Sequence, residues 1–324
     1  MSILLLCFYR VLRTRAVLLS ICFFASHCLA SEPVSVLTFI PNPDRAEVLL
    51  GKQLFHSTAL SADGTISCAS CHRIADGGDD GMPQSVGINA QRGTVNAPTV
   101  LNSRFNFAQF WDGRAASLEA QVEGPIHNPL EMGTNWHDVI ERLSRDPAMV
   151  ASFAEVYAQP ISEQTITAAI VAYERELVTT GSPFDRYLAG EATAISQHAK
   201  DGYRLFKTMG CISCHQGKNL GGNMYQKFGI VGNYFKDRGA VKEADYGVYN
   251  LPGMEQDRFK FKVPSLRNVS ETAPYFHDGS VQQLEEAVRI MARYQLGRPI
   301  SQPQVEKLTA FLVTLTGQVE SELQ

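Results

Sequence analysis

Apolar side chains recur at helical spacing over four stretches, Trp136–Tyr157, Thr165–Val178, Val281–Tyr294 and Val305–Leu315. A three-to-four-residue period of this kind predicts an amphipathic helix in each. Alternating apolar and polar runs of the sort that make strands are sparse, so the pattern predicts a mostly α-helical protein. Ser280-Val-Gln-Gln283 and Ser301-Gln-Pro-Gln304 both have the form of a capping box, in which a serine accepts an amide of the first turn and a glutamine reaches back. Thr179-Thr-Gly-Ser-Pro183 breaks the helical pattern and divides the chain into segments 31–183 and 184–324, with the C-terminal helix free to pack back on the first.

The N-terminus has a different pattern. Arg10, Arg13 and Arg15 precede the apolar run Ala16–Phe24, and Ala25-Ser-His-Cys-Leu-Ala30 supplies small residues for cleavage. This is the layout of a secretory signal peptide over residues 1–30, and it predicts a periplasmic protein. The uncharged stretch is about 15 residues, short of the roughly 20 that span a bilayer as a helix. No later segment is long and apolar enough to cross a membrane. The whole chain carries a net charge of −4, and loss of the three N-terminal arginines makes it more acidic still. Without basic runs it is a poor partner for nucleic acid.

Of seven cysteines, three lie in the N-terminal segment, and the other four sit in one repeated motif, Cys68-Ala-Ser-Cys71-His72 and Cys211-Ile-Ser-Cys214-His215. This is the pattern of c-type haem attachment: two thiols add to the vinyl groups of one haem, and the adjacent histidine becomes the proximal iron ligand. A zinc ribbon would bring its second cysteine pair within about 15 to 20 residues, whereas these pairs are 143 apart. A disulfide closing so short a loop would stabilise little. Two covalent haems are therefore expected.

The repeat extends beyond the haem motifs. Pro98-Thr-Val-Leu-Asn102, Phe110-Trp-Asp-Gly113 and Leu118-Glu119 reappear, at a constant offset of 166, as Pro264-Ser-Leu-Arg-Asn268, Phe276-His-Asp-Gly279 and Leu284-Glu285. Gly51-Lys-Gln-Leu-Phe55 likewise matches Gly202-Tyr-Arg-Leu-Phe206. Two cytochrome c-like domains arising by internal duplication explain this most simply. The second copy has a longer span between its haem motif and its Pro-Asn element, 53 residues against 30, and so carries an inserted loop.

Taken in order and spacing, the two haem motifs, Asn96-Ala-Pro-Thr99, Gln109-Phe-Trp-Asp-Gly-Arg114, Gly124-Pro125 leading to Leu130-Glu-Met132, Ala273-Pro-Tyr-Phe-His277, and Glu285-Glu-Ala-Val288 leading to Met291 resemble the bacterial di-haem cytochrome c peroxidase family. The resemblance covers essentially all of the chain after residue 30. It implies reduction of hydrogen peroxide at the N-terminal haem, with electrons relayed from a small cytochrome c or cupredoxin through a high-potential C-terminal haem. It also implies Met291 as the second axial ligand of that haem, a sulfur ligand that raises the potential. Read by periodicity alone, Met291 completes an apolar stripe with Leu284, Ala287 and Val288 that suits an ordinary core. Met224 and Met254 in the inserted loop are rival ligands. Glu131 matches a catalytic glutamate, able to move a proton between the peroxide oxygens, and Trp111 matches a tryptophan lying between the haems. Asn96, Thr272 and Pro274 match a set of oxygen donors for calcium, and the family precedent suggests a homodimer.

Counting back 166 from Met291 gives Pro125, which has no ligand atom, so the first haem is expected to be open. Many family members carry a histidine capping that iron 23 residues before the tryptophan, and here the position is Ile88. Reductive activation is then unnecessary, unless another group such as His56 or His127 takes its place. Two rival functions remain: a di-haem oxidase that modifies a protein substrate, where a tyrosine stands for the methionine ligand, and a pure di-haem electron carrier with both irons capped.

Overall fold

The computed structural model describes residues 32–251 and 253–324. The expected signal peptide lies outside the described residues, as does nearly all of the unit Met1–Pro33. Within Val34–Gln324, helix α1 (Arg45–Phe55) is started by Asp44, whose carboxylate accepts the Glu47 amide. The short α2 (Cys68–Cys71) carries the first haem motif. Next come α3 (Leu118–His127), α4 (Trp136–Ser144), α5 (Pro147–Tyr157), α6 (Glu163–Glu176), α7 (Pro183–Leu188) and α8 (Gln197–Met209). After α8 follow α9 (Tyr234–Arg238), α10 (Leu284–Ile290) and α11 (Gln302–Val313). The only sheet among the described residues is an antiparallel ribbon of β1 (Tyr225–Lys227) and β2 (Lys260–Lys262), with Tyr225 opposite Lys262. It lies in the inserted loop.

The chain is mostly helical, as the pattern predicts, with differences at element ends. Trp136–Tyr157 forms two helices, because Asp146 caps a new start and Pro147, which has no amide hydrogen to give, sits at its first position. Ser301 and Gln304 form the expected capping box. Ser280 does not: its amide is donated to Asp278, Val281 pairs with Tyr275 as extended chain, and the helix begins only at Leu284. That helix then opens into a π-helical turn, Met291–Gln295.

Two helix crossings organise the interior. At α1 on α6, a Cβ built on Gly51 would stand 1.9 Å from the Ala169 carbonyl oxygen; at α8 on α11, one built on Gly202 would stand 1.8 Å from that of Lys307. Only glycine permits backbones to approach so closely. Around the first crossing lie Leu50, Leu54, Ile166 and Ile170, and around the second Tyr203, Phe206, Leu308 and Phe311. Asn102 and Asn268 are both left-handed (φ 61° and 59°), as are Phe110 and Phe276 (67° and 71°). The Asn102 amide is donated to the Leu177 carbonyl, and that of Asn268 to Leu315. Both asparagines meet at Thr179, whose hydroxyl accepts from Asn102 Nδ2 (2.8 Å) and donates to Asn268 Oδ1 (3.2 Å). The end of the chain returns to the first crossing, where Val319 and Leu323 are buried with Val48, Phe55 and Tyr173.

Candidate haem sites

The first cavity, about 420 Å³, is lined by Cys68, Cys71, His72, Pro125, Glu131 and Trp111 among others. Both thiols are free, and burial pushes Cys68 up to about 12 and Cys71 to about 11, so both are held protonated. His72 follows α2, and its Nδ1 is 3.2 Å from the Gly78 carbonyl. A donor hydrogen there places the free lone pair on Nε2, as a metal-ligating imidazole requires. Burial also lowers the His72 pKa, which keeps the ring neutral.

Glu131 follows the proline-containing α3 in a tight turn, where its amide is donated to the Asn128 carbonyl. Its carboxylate accepts from Asn128 Nδ2 at 2.6 Å. Burial raises its pKa, opposed by that hydrogen bond and by the charge of Arg114. A half-buried carboxyl beside a cation, on the wall of a cavity, is suited to exchange protons. Ile88 is buried away from the cavity, its amide donated to the Glu131 carbonyl and its side chain against Gly133. His56 and His127 are exposed and bonded to the carbonyls of Lys52 and Thr134. Among the described residues His72 is thus the only histidine on this wall, although Met132 reaches it from the core cluster of Leu60 and Ile126.

The second cavity, about 260 Å³, is lined by Cys211, Cys214, His215 and Met291. His215 Nδ1 is 3.1 Å from the Leu220 carbonyl, and burial pushes the ring down to about 4. Met291 opens the π-helical turn, a distortion frequent at functional sites. It packs with Trp111 against the aromatic cluster of Phe228, Tyr234 and Phe261. Neither Met224 nor Met254 lines this cavity, and Met254 is exposed.

Trp111 belongs to both walls, with its indole N–H donated to the Asn96 carbonyl at 2.9 Å. The Asn96 amide is in turn donated to the carbonyl of His277, the residue that matches Trp111 in the repeat, and the two rings meet edge to face with centroids 6.4 Å apart. Asn96, Thr272 and Pro274 all line the second cavity. The sequence reading missed Asp79, which joins them there; it is buried, and burial and Asp80 push its pKa up to about 7. It also missed Lys262 and Glu174, both buried on cavity walls. The signal for Asp79 was the pair Asp79-Asp80 next to a haem motif; for the other two the sequence carries none, since their burial comes from tertiary packing.

Two cavities of this composition fit haem: each pairs unbridged thiols with a neutral histidine whose Nδ1 is engaged, inside a largely apolar wall. The model of the di-haem cytochrome c peroxidase family matches residues 45–193. Cytochrome c peroxidase Ccp of Escherichia coli (strain K12) is 44% identical over 89% of the chain, which spans 62% of that longer relative. Cytochrome c551 peroxidase of Nitrosomonas europaea is also 44% identical, with 89% of this chain and 85% of the relative covered. Among solved structures, a MauG-like protein associated with microbial copper homeostasis superposes with a TM-score of 0.77 at 27% identity, covering 90% of this chain and 96% of the other. With two haem motifs on separate cavities and this likeness along most of its length, the chain belongs to the di-haem cytochrome c peroxidase family.

Proposed function

We propose that the chain reduces hydrogen peroxide to water at the first cavity, with electrons passed from a small cytochrome c or cupredoxin through the second. The observation that carries this reading is an asymmetry across the repeat: the second cavity has Met291 on the wall with His215, whereas the matching residue on the first cavity's wall is Pro125, which offers no ligand atom, and that wall also carries Glu131. Two haem domains, 31–183 and 184–324, arising by duplication account for the matched crossings and left-handed asparagines. Each binds one haem covalently, through Cys68 and Cys71 or through Cys211 and Cys214.

Haem supplies the iron that binds and reduces peroxide. His72 and His215, as neutral rings, would hold that metal, and Met291 would be a further ligand at the second site, where a sulfur donor raises the potential. Glu131, held by Asn128 Nδ2 and under the charge of Arg114, is the group that would take a proton from peroxide and return it to the departing oxygen. Ile88, tucked behind the Glu131 backbone, leaves the first site without a capping imidazole. Trp111 sits in the partition and carries electrons between the sites. Asn96, Thr272 and Pro274 would hold a calcium ion through their oxygen atoms, on the wall that also carries Asp79. Periplasmic location and homodimer formation are part of the same reading. Met291 disfavours a protein-modifying oxidase, and Glu131 with Ile88 disfavours a pure carrier.

The test is steady-state peroxide reduction by the haem-loaded protein with reduced small cytochrome c, started from the fully ferric and from the one-electron-reduced state. Immediate turnover from both is expected. Turnover only after reduction would mean that another group, such as Met132 on the same wall, caps the first site in place of the missing imidazole. No turnover from either would overturn the peroxidase reading.

A further inference from the structure

Of the residues that line both cavities, Lys262 alone is charged. It ends β2, with its amide donated to the Trp111 carbonyl at 2.8 Å, and it is only 6% exposed. Its ammonium has no hydrogen bond or ion pair among the described residues. The neighbouring carboxylate, Asp112, is engaged by Arg114, whose Nη1 lies 3.0 Å from both of its oxygens. A buried ammonium without a partner is costly, and burial already lowers this one to about 8. Such a group persists where something else brings negative charge to it. Each haem carries two carboxylates on its edge, and the wall holding Lys262 is common to both haem cavities.

We propose that Lys262 is the shared counter-ion of the two haems, its ammonium neutralising a propionate of each across the partition that contains Trp111. This rests on the reading that both cavities hold haem. A fixed positive charge favours the ferrous over the ferric state, because reduction adds one negative charge to each haem. One lysine therefore raises both potentials together and couples them.

The test is a potentiometric titration of haem-loaded protein, following both haems by absorbance, in wild type, Lys262→Met and Lys262→Arg, with haem per chain measured on each. Lys262→Met is expected to lower the reduction equilibrium constant of each haem about tenfold, which is about 59 mV for a one-electron couple, while Lys262→Arg stays near wild type. Lys262→Gln, also uncharged, is a second variant if the methionine form loads poorly, and it must shift both potentials the same way. Two haems per chain with either potential unmoved in the uncharged variants overturns the inference and leaves the haem reading intact. A wild-type chain with fewer than two haems overturns the haem reading, and this inference with it.

Discussion

At the scale of single residues, burial sets the chemistry. Glu131 has a raised pKa, and in the proposed role of proton acceptor it works only when ionised. Peroxide turnover is therefore expected to fall as pH drops through that raised value, giving an acid limb above the ordinary glutamate range. Glu131→Gln should remove the limb and lower kcat by about 10²- to 10⁴-fold, read from pH–rate profiles of both forms. Glu174, on a wall of the same cavity, shows the same physics: buried, with Oε2 unpaired, it is pushed up to about 8. Its folded-state pKa is raised, so its contribution to stability is complete below the unfolded glutamate value and is lost as pH rises through about 8. Glu174→Gln, fixed in the neutral form, is expected to melt above wild type at pH 8.5 and close to it at pH 4.5; a constant gap would refute the assignment. The cysteines and histidines on the two cavity walls, with Glu131 and Met291, were legible as candidates in the sequence because motifs mark them. Glu174 and Lys262 were not, since nothing near them in sequence distinguishes a buried charge from a solvated one.

Among the elements, the two glycine crossings impose the tightest constraint. Gly51→Ala sets a methyl group against the Ala169 carbonyl, and Gly202→Ala does so at Lys307. Overpacking of this kind costs about 1–3 kcal/mol, so each variant should melt several degrees lower, whereas Gly190→Ala, with no atom within 4 Å of the added carbon, tests backbone strain alone. Helix positions followed from apolar spacing, and Ser301 from its capping pattern. The start of α10 did not, because Ser280 carries the same letters as a cap while Val281 is held in a bridge to Tyr275. The π-helical turn at Met291 was equally hidden, because the apolar stripe of Leu284, Ala287, Val288 and Met291 ends where the turn begins. Under the proposed ligation, Met291→Leu keeps that packing and removes the sulfur. It should lower the potential of the second haem and abolish its methionine-ligated absorbance, while thermal stability changes little.

For the molecule as a whole, the repeat offset was legible in the sequence, but the way the two halves are joined was not. Thr179 bonds Asn102 and Asn268 with one hydroxyl, a link invisible without coordinates because three distant positions share it. Thr179→Val keeps the shape and removes both bonds; Asn268 Oδ1 still accepts the Gly317 amide at 3.1 Å, whereas the buried Asn102 Nδ2 loses its acceptor, at a cost of about 1–3 kcal/mol. A lower denaturation midpoint with an unchanged cooperative transition is the expected result. The returning tail has a different implication. Leu323 is buried beside Phe55, its carbonyl accepts the Tyr173 hydroxyl at 2.7 Å, and Val319 lies in the same cluster. The interior around α1 and α6 is thus completed by side chains from far along the chain, and truncation before residue 319 would leave Val48, Phe55 and Tyr173 with an uncovered apolar surface open to proteolysis.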